Sequence, residues 1–264
     1  MTKVFFFIAP LMMVCFSILL ALLLERLDTA LYSVAEAERR TQLTSFGILA
    51  KIQPRDLNRH LSAPHEYFHS FATLLLHAMS SAKILQITSA VPSAGKTTIA
   101  CNLARMLAED GHRVLLIDAD LRRPHVHDLL GLPNNLGLST LLEDKCTLEE
   151  VLQRALELPL LDILTSGPVP PFPSLLLNSD AMRAMLKRCR DIYSHILLDS
   201  PPVLSAADGV TLATQAEAAV LVIRHGNSAL DVLRARDLLL HSGVPITGFV
   251  LNAAPTRRTK ITLE

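Results

Sequence analysis

The residues best suited to chemistry lie in one short loop, Ala90-Val91-Pro92-Ser93-Ala94-Gly95-Lys96-Thr97-Thr98. A loop of this form between a strand and a helix presents backbone N–H groups to phosphate oxygens. The Lys96 ammonium would neutralise β- and γ-phosphates, and the Thr97 hydroxyl would coordinate Mg²⁺. Ala90 stands where a glycine is usual, which we expect to be tolerated if its φ is negative. The predicted phosphate-binding residues are Ala90, Pro92, Ser93, Ala94, Gly95, Lys96, Thr97 and Thr98.

Two apolar segments further along the chain end in carboxylates. Leu115–Ile117 precedes Asp118 and Asp120, and Ile196–Leu198 precedes Asp199. In open α/β sheets, ligands collect at the carboxyl ends of the strands. Alternation points Asp118 and Asp120 to the same side, although a helix cap would explain one of them equally simply. An Asp in the position of Asp199 holds Mg²⁺ or its water in phosphate-loop proteins.

The elements that must position these residues follow from the hydrophobic pattern. Short apolar runs alternate with amphipathic helical stretches, which is typical of an α/β fold with a parallel sheet covered by helices. Thr147 with Glu150 predicts one helix start, and Ser179 predicts another. The predicted strands are Lys83–Thr88, Arg113–Asp118, Leu161–Thr165, His195–Asp199, Ala218–Ile223 and Ile246–Leu251.

The amino-terminal segment differs in composition from the rest. Val4–Leu24 carries no charge and is long enough to cross a bilayer as one helix, whereas the core of a signal peptide is normally shorter. We therefore expect a transmembrane anchor over 1–24, a juxtamembrane connector over 25–60 and a phosphate-loop domain over 61–264. The arginines after the span favour a cytosolic domain at the inner membrane.

Whole-chain composition excludes other classes. The chain has 264 residues, of which 50% are hydrophobic, and its 25 basic residues equal its 25 acidic residues. The balance gives no argument for nucleic acid as a partner, and the apolar content excludes a disordered chain. Four cysteines without paired spacing indicate neither disulfides nor a zinc site.

The order of the three motifs resembles the bacterial tyrosine kinases of capsule and exopolysaccharide synthesis, which belong to the wider group of ParA/MinD-type ATPases. The resemblance rests on the phosphate loop, on Ile117-Asp118-Ala119-Asp120-Leu121-Arg122-Arg123-Pro124 and on Leu197-Leu198-Asp199-Ser200-Pro201-Pro202. It implies ATP and Mg²⁺ as cofactors, and protein tyrosine as the phosphoryl acceptor.

The same resemblance implies roles for single residues. Lys96 would bind phosphate, Asp118 would orient or deprotonate a tyrosine hydroxyl, and Asp120 would support the metal and the γ-phosphate. Asn252 matches the position that meets adenine, and Asp208 matches a recurrent acidic position whose role stays open. The implied metal ligands are Thr97, Asp118 and Asp199.

The sequence departs from the family in three places. The segment 253–264, where the family has a cluster of acceptor tyrosines, contains none, so we expect acceptors in trans. The family's oligomerisation motif is Glu-x-x-Arg-x-x-Arg. The matching segment here is Glu66-Tyr67-Phe68-His69-Ser70-Phe71-Ala72, with His69 and Ala72 at the two arginine positions. A homo-oligomer therefore stays an open alternative. Only one membrane helix is predicted, so control of polymer length would need a separate periplasmic co-polymerase among the polysaccharide polymerisation and export proteins.

Three functions remain open on the sequence alone. The first is a tyrosine kinase, the second an ATPase switch of the ParA/MinD kind, and the third a nucleotide-binding regulator without turnover. The missing tail tyrosines favour the switch. Ala90 and Val91, where partition ATPases have an additional lysine, count against it. The complete set of motif residues counts against the regulator.

Overall fold

The computed structural model describes residues 13, 16, 17, 19, 29–50, 63–79, 82–154 and 158–254. The chain divides into two compact units, Met1–Ala30 and Leu31–Glu264. Among the described residues, no helix is both long and apolar enough to cross a membrane. Most of the predicted span Val4–Leu24 lies outside the described residues.

The larger unit is built around one mixed, mostly parallel sheet of eight strands, in the order β2-β10-β8-β3-β7-β4-β6-β5. All neighbouring strands are parallel except β5, which runs antiparallel to β6 at the edge. The strands are β1 Ala30–Leu31, β2 Ser45–Ala50, β3 Ile84–Ser89, β4 Val114–Asp118, β5 Leu152–Arg154, β6 Leu161–Leu164, β7 His195–Asp199, β8 Ala218–Arg224, β9 Asn227–Ser228 and β10 Ile246–Ala254.

Helices cover both faces of this sheet. They are α1 Val34–Thr41, α2 Ala63–Met79, α3 Lys96–Glu109, α4 Val126–Leu130, α5 Leu138–Leu142, α6 Leu148–Val151, α7 Pro173–Leu177, α8 Asp180–Ile192, α9 Ala207–Ala213 and α10 Ala229–His241. The predicted caps are confirmed, because Ser179 accepts from the Met182 N–H and the Thr147 N–H bonds the Glu150 carboxylate at 2.7 Å.

The central strands are mostly apolar because each is buried on both faces. Successive residues contribute to different cores. Leu116 packs into the core under α2 and α3, whereas Leu115 packs into the core under α5 and α8. All six predicted strands are therefore confirmed, with ends that move by at most three residues.

A strand that sequence reasoning did not predict completes one side of the sheet. Ser45–Ala50 lies within the segment predicted as a connector, and it pairs in parallel with β10. Gly248 of β10 permits this approach, since a Cβ there would lie 2.4 Å from the Thr44 carbonyl oxygen and 2.7 Å from the Phe46 ring. The Phe46 side chain is buried and packs on Phe71 of α2, with ring centroids 6.1 Å apart.

Helix α2 carries the degenerate oligomerisation motif. Ala72, at the second arginine position of the motif, is fully buried in the core. His69, at the first, is exposed, and its Nε2 lies 3.6 Å from Asp110 Oδ1. The two positions thus have opposite environments, one inside the domain and one on its surface.

Candidate active site

The phosphate loop lies between β3 and α3, as predicted. Gly95 is the N-cap of α3 with φ of 94°, and Ser93 has φ of 60°. Ala90 does not have a positive φ, so the condition under which alanine is expected to be tolerated there is met. Lys96 opens the helix and is buried, while Thr97 and Thr98 are partly exposed.

Two side chains from neighbouring strands fasten this loop. Asn252 Nδ2 donates to the Ala94 carbonyl at 2.8 Å, and a Cβ on Gly95 would lie only 2.1 Å from that nitrogen. Arg224, at the end of β8, donates from Nη1 to the Ser93 carbonyl at 2.8 Å. Asn252 therefore contacts the loop backbone itself, and its predicted contact with adenine stays a prediction. Sequence reasoning missed Arg224.

The three predicted carboxylates follow two adjacent strands. Asp118 and Asp199 are register partners at the ends of β4 and β7, and both are buried. Asp118 Oδ2 accepts backbone N–H groups of His125 at 3.2 Å and Val126 at 3.1 Å. Asp120 is partly exposed and accepts the Arg123 N–H at 3.1 Å. The sheet thus brings the predicted acidic residues close to the phosphate loop, which follows β3.

Burial perturbs these carboxylates. It raises the pKa of Asp199 to about 6, while Lys96 and the Thr97 hydroxyl, which is near but not in hydrogen-bond geometry, act in the opposite direction. Burial and then the charge of Asp199 raise the pKa of Asp118 well above its usual range. Burial also raises the pKa of Asp120. Asp118 and Asp199 are paired in register on neighbouring strands, so their ionised carboxylates would repel each other. A cation bound between them would relieve this repulsion.

The donor set fits Mg²⁺ shared with phosphate and water. Neither carboxylate oxygen of Asp199 has a hydrogen-bond partner among the described residues, and the Thr97 hydroxyl lies nearby. In the described part of the chain, no three His, Cys, Asp or Glu side chains form a complete metal site. Mg²⁺ usually takes only one or two carboxylates and keeps water and phosphate as its other ligands. Asp118 as a third metal ligand stays a prediction.

A cavity of about 450 Å³ opens over the loop. Asp120 lines it, whereas the buried Asp118 and Asp199 do not. The exposed His125, which is part of a His-x-His pair, also lines it. The lining residues are Pro92, Ser93, Gly95, Lys96, Thr97, Thr98, Asp120, Arg122, Arg123, His125, Pro201, Pro202, Ser205 and Ala206.

Asp208, which sequence reasoning left without a role, is the partner of Arg122. Its Oδ2 accepts from Arg122 Nε at 2.6 Å and its Oδ1 from Nη2 at 3.3 Å. Ser174 of α7 also donates its hydroxyl to Asp208. The arginine in the Asp-x-Asp-x-Arg motif was the available signal, but no sequence pattern connects it to a residue 86 positions away.

Two buried polar residues of β3 hold the loop that follows Asp199. Gln86 Nε2 donates to the Gly209 carbonyl at 2.7 Å and to Ser200 Oγ at 3.0 Å. The Thr88 hydroxyl donates to the Pro201 carbonyl at 3.0 Å. Polar side chains within an otherwise apolar strand were the signal for this role, which sequence reasoning missed.

The described tyrosines differ sharply in exposure. Tyr193 is 2% exposed and donates its hydroxyl to Asp162 Oδ2 at 2.8 Å, and burial raises its pKa. Tyr32 is 51% exposed. The side chain of Tyr67 lies outside the described part of the structure.

The fold and the loop define a protein that binds nucleotide phosphates on a parallel α/β sheet. Residues 86–263 match the family model described as the CobQ/CobB/MinD/ParA nucleotide binding domain. The chain is 36% identical over 208 residues to the tyrosine-protein kinase YwqD of Bacillus subtilis, covering 78% of this chain and 85% of YwqD.

A second relative extends the comparison. Over 175 residues the chain is 39% identical to the tyrosine-protein kinase etk of Escherichia coli, covering 66% of this chain and 24% of etk. The solved kinase domain of Escherichia coli ETK superposes with a TM-score of 0.79 at 30% identity, covering 88% of this chain and 98% of that domain. The chain belongs to the bacterial tyrosine-protein kinases, within the CobQ/CobB/MinD/ParA family. It spans about a quarter of etk but most of YwqD.

Proposed function

We propose that the chain transfers the γ-phosphoryl group of MgATP to tyrosine residues of other proteins. The observation that carries this proposal is that Lys96, Thr97 and Asp120 line one cavity, while Asp118 and Asp199 are buried side by side at the ends of β4 and β7. The likeness to proteins named tyrosine-protein kinases supports the same reaction.

The residues act mainly by positioning and charge neutralisation. The loop amides and Lys96 would bind the β- and γ-phosphates, and Thr97 and Asp199 would hold Mg²⁺. The ion supplies neutralisation of the phosphate charge. Asp118, whose pKa is raised by burial and by Asp199, is suited to orient the tyrosine hydroxyl and accept its proton. Asp120 reaches the cavity itself and would support the metal and the γ-phosphate.

The acceptor is proposed to lie on another molecule. Tyr193 is buried with its hydroxyl bonded to Asp162, so it cannot enter a neighbouring active site without unfolding. The segment 253–264 contains no tyrosine. A partner of the polysaccharide polymerisation and export machinery, including a separate periplasmic co-polymerase, is the partner that the resemblance implies.

The remaining proposals concern location and assembly. We propose that residues 1–24 anchor the chain in the inner membrane, with the kinase domain in the cytosol. Self-association is proposed without the two motif arginines, because His69 and Ala72 stand in their places. Nothing in the charge balance favours nucleic acid as a partner.

The deciding experiment follows the γ-phosphate. The purified chain is incubated with Mg²⁺, γ-labelled ATP and a tyrosine-rich acceptor peptide, and label is measured on the peptide and in inorganic phosphate. We expect Lys96→Met and Asp118→Asn each to lower peptide labelling at least 100-fold, because the first removes the phosphate cation and the second the proton acceptor. Lys187→Met and Asp191→Asn, at exposed positions of α8, are the matched controls.

The outcomes separate the three functions. Label on peptide tyrosine that disappears in Lys96→Met supports the kinase. Label found only in inorganic phosphate would contradict it and leave an ATPase switch. ATP binding without any release of label would leave a nucleotide-binding regulator.

A further inference from the structure

The buried carboxylate of Asp208 holds one side chain at the cavity. Asp208 is 1% exposed, and it binds Arg122 through both Nε and Nη2. The Arg122 side chain is 48% exposed and lines the cavity. A two-point contact with a planar guanidinium fixes its orientation as well as its position.

A second element supports the same arginine. Ser174 Oγ accepts from Arg122 Nη2 at 3.1 Å while it donates to Asp208. Ser174 belongs to α7 and Asp208 to the first turn of α9. The guanidinium is thus held from two separate helices, and α9 is in turn fastened to β3 by the Gln86 bond to the Gly209 carbonyl.

These bonds leave one donor group of Arg122 unused. Nε and Nη2 are occupied, and Nη1 has no acceptor among the described residues. A guanidinium that keeps an unoccupied edge and borders a phosphate site can donate to phosphate oxygens. Because its position is already fixed, little reorganisation is needed when charge develops on the substrate.

The charges around the cavity call for a second cation. Lys96 is the only charged residue in the sequence of the phosphate loop, Ala90–Thr98. Asp120 adds a carboxylate to the lining of the same cavity. Charge on the transferring phosphoryl group must be neutralised from the protein side as well as by the metal.

We propose that Arg122 contacts the transferring phosphoryl group through Nη1, and that Asp208 and Ser174 are its positioning residues. In the step, an acceptor oxygen forms a bond to the γ-phosphorus while the bond to the β–γ bridging oxygen breaks. The bridging oxygen leaves with the electron pair on ADP, and the acceptor's proton passes to Asp118. Arg122 forms no covalent bond. The inference rests on the proposed binding of MgATP and not on the identity of the acceptor.

The first test measures binding without turnover. A fluorescent ADP (N-methylanthraniloyl-ADP) is titrated with Mg²⁺, with and without aluminium fluoride, which stands in for the transferring phosphoryl group. We expect Arg122→Ala to change the dissociation constant of ADP alone by less than threefold. In Arg122→Ala, the factor by which aluminium fluoride lowers this dissociation constant should be at least tenfold smaller than in the wild type. The proposal would be overturned if aluminium fluoride tightened ADP binding to Arg122→Ala as much as to the wild type. It would also be overturned if only the neighbouring variant, Arg123→Ala, lost this effect, or if the wild type did not show it.

The second test separates contact from positioning. Arg122→Ala should lower kcat about 100-fold with the KM for ATP within threefold, and Arg122→Lys should not restore it because an ammonium lacks the fork. Asp208→Ala should lower kcat about tenfold. The double variant should be no slower than Arg122→Ala alone. Losses that multiply in the double variant would contradict a role of Asp208 through Arg122.

A matched pair elsewhere in the fold provides the control. Arg154 Nε lies 3.3 Å from the buried Asp162, so Arg154→Ala also removes an exposed arginine from a buried aspartate. It should leave kcat and the aluminium fluoride effect unchanged. If the wild type releases phosphate but labels no tyrosine, the proposed kinase function fails, while the titration still decides the role of Arg122.

Discussion

Asp118 and Asp199 face each other across neighbouring strands, both buried and both with a raised pKa. The carboxylate of Asp118 has hydrogen-bond partners, because it accepts backbone N–H groups at the start of α4. Asp199 has no such partners among the described residues. In the absence of a metal, ionised Asp199 therefore carries an electrostatic cost that no hydrogen bond from the described residues offsets.

Asp199→Asn tests that cost. Burial raises the pKa of Asp199 from 3.8 to about 6, so the folded state binds this proton more tightly than the unfolded state. The contribution of Asp199 to stability should therefore fall as pH rises through about 4 to 6. At pH 8 without metal, the variant should be more stable than the wild type by about 3 kcal/mol.

Urea denaturation in EDTA at pH 5 and pH 8 measures this difference. The advantage of Asp199→Asn should be smaller at pH 5, and Asp191→Asn, at an exposed site, should show no advantage at either pH. An equal offset at both pH values would contradict the assigned cause. The variant should also lose the Mg²⁺-dependent part of nucleotide binding.

At the scale of elements, the phosphate loop is held by strands that are distant in sequence. Asn252 of β10 and Arg224 of β8 bind successive carbonyls of the loop, and Gly95 lies directly against the Asn252 amide. The positive φ of Gly95 and this close approach both require the absence of a side chain.

Gly95→Ala should therefore weaken ATP binding at least tenfold, because the new Cβ would displace Asn252 and strain the loop. Gly111→Ala is the matched control, since Gly111 also has a positive φ (88°) but no atom within 4 Å of the new Cβ. The control should cost about 1 kcal/mol of stability and leave ATP affinity unchanged. Equal affinities for the two variants would show that the Asn252 contact is unimportant.

Helix α2 yields a prediction about the altered oligomerisation motif. Ala72→Arg would place a guanidinium in the core, whereas His69→Arg would place one at the surface near Asp110. We expect the first to destabilise the domain by more than 3 kcal/mol and the second by less than 0.5 kcal/mol. Thermal denaturation of the two variants measures the difference. Similar melting temperatures would contradict the burial of Ala72.

The sequence predicted those parts of the fold that depend only on neighbouring residues, namely the central strands and the phosphate loop. The apolar runs of β3, β4 and β7, and the loop with its lysine, are readable because period and spacing alone define them. Ser45–Ala50 became a strand only by pairing with β10, about 200 residues later in the chain. The Arg122–Asp208 pair likewise depends on where two loops meet after the sheet is complete. Such pairings leave no periodic trace in a single sequence.

At the scale of the molecule, β2 shows that the domain begins before residue 61, where the sequence analysis placed its start. Phe46 and Leu49 belong to the same core as α2 and α3, and β2 covers an edge of β10 that would otherwise be open. Residues from Leu31 onward form one compact unit with the rest of the domain.

A truncation tests this boundary. A chain of residues 61–264 lacks Phe46 and Leu49, whose removal should cost several kcal/mol, a large share of a typical domain's 5–15 kcal/mol. We expect it to aggregate on gel filtration or to melt at least 10 °C below a chain of residues 29–264. Equal melting temperatures would support a boundary near residue 61 and a true connector before it.

The bond between Asn252 and the Ala94 carbonyl joins residues 158 positions apart. During synthesis on the ribosome, β3 and α3 emerge long before β10 exists to fasten the loop between them. Native contacts of such separation form late, after the intervening chain has been ordered. A nascent or prematurely terminated chain therefore carries the phosphate-binding sequence without the side chain that secures it. We therefore expect full nucleotide affinity only after β10 has joined the sheet and brought Asn252 to the loop.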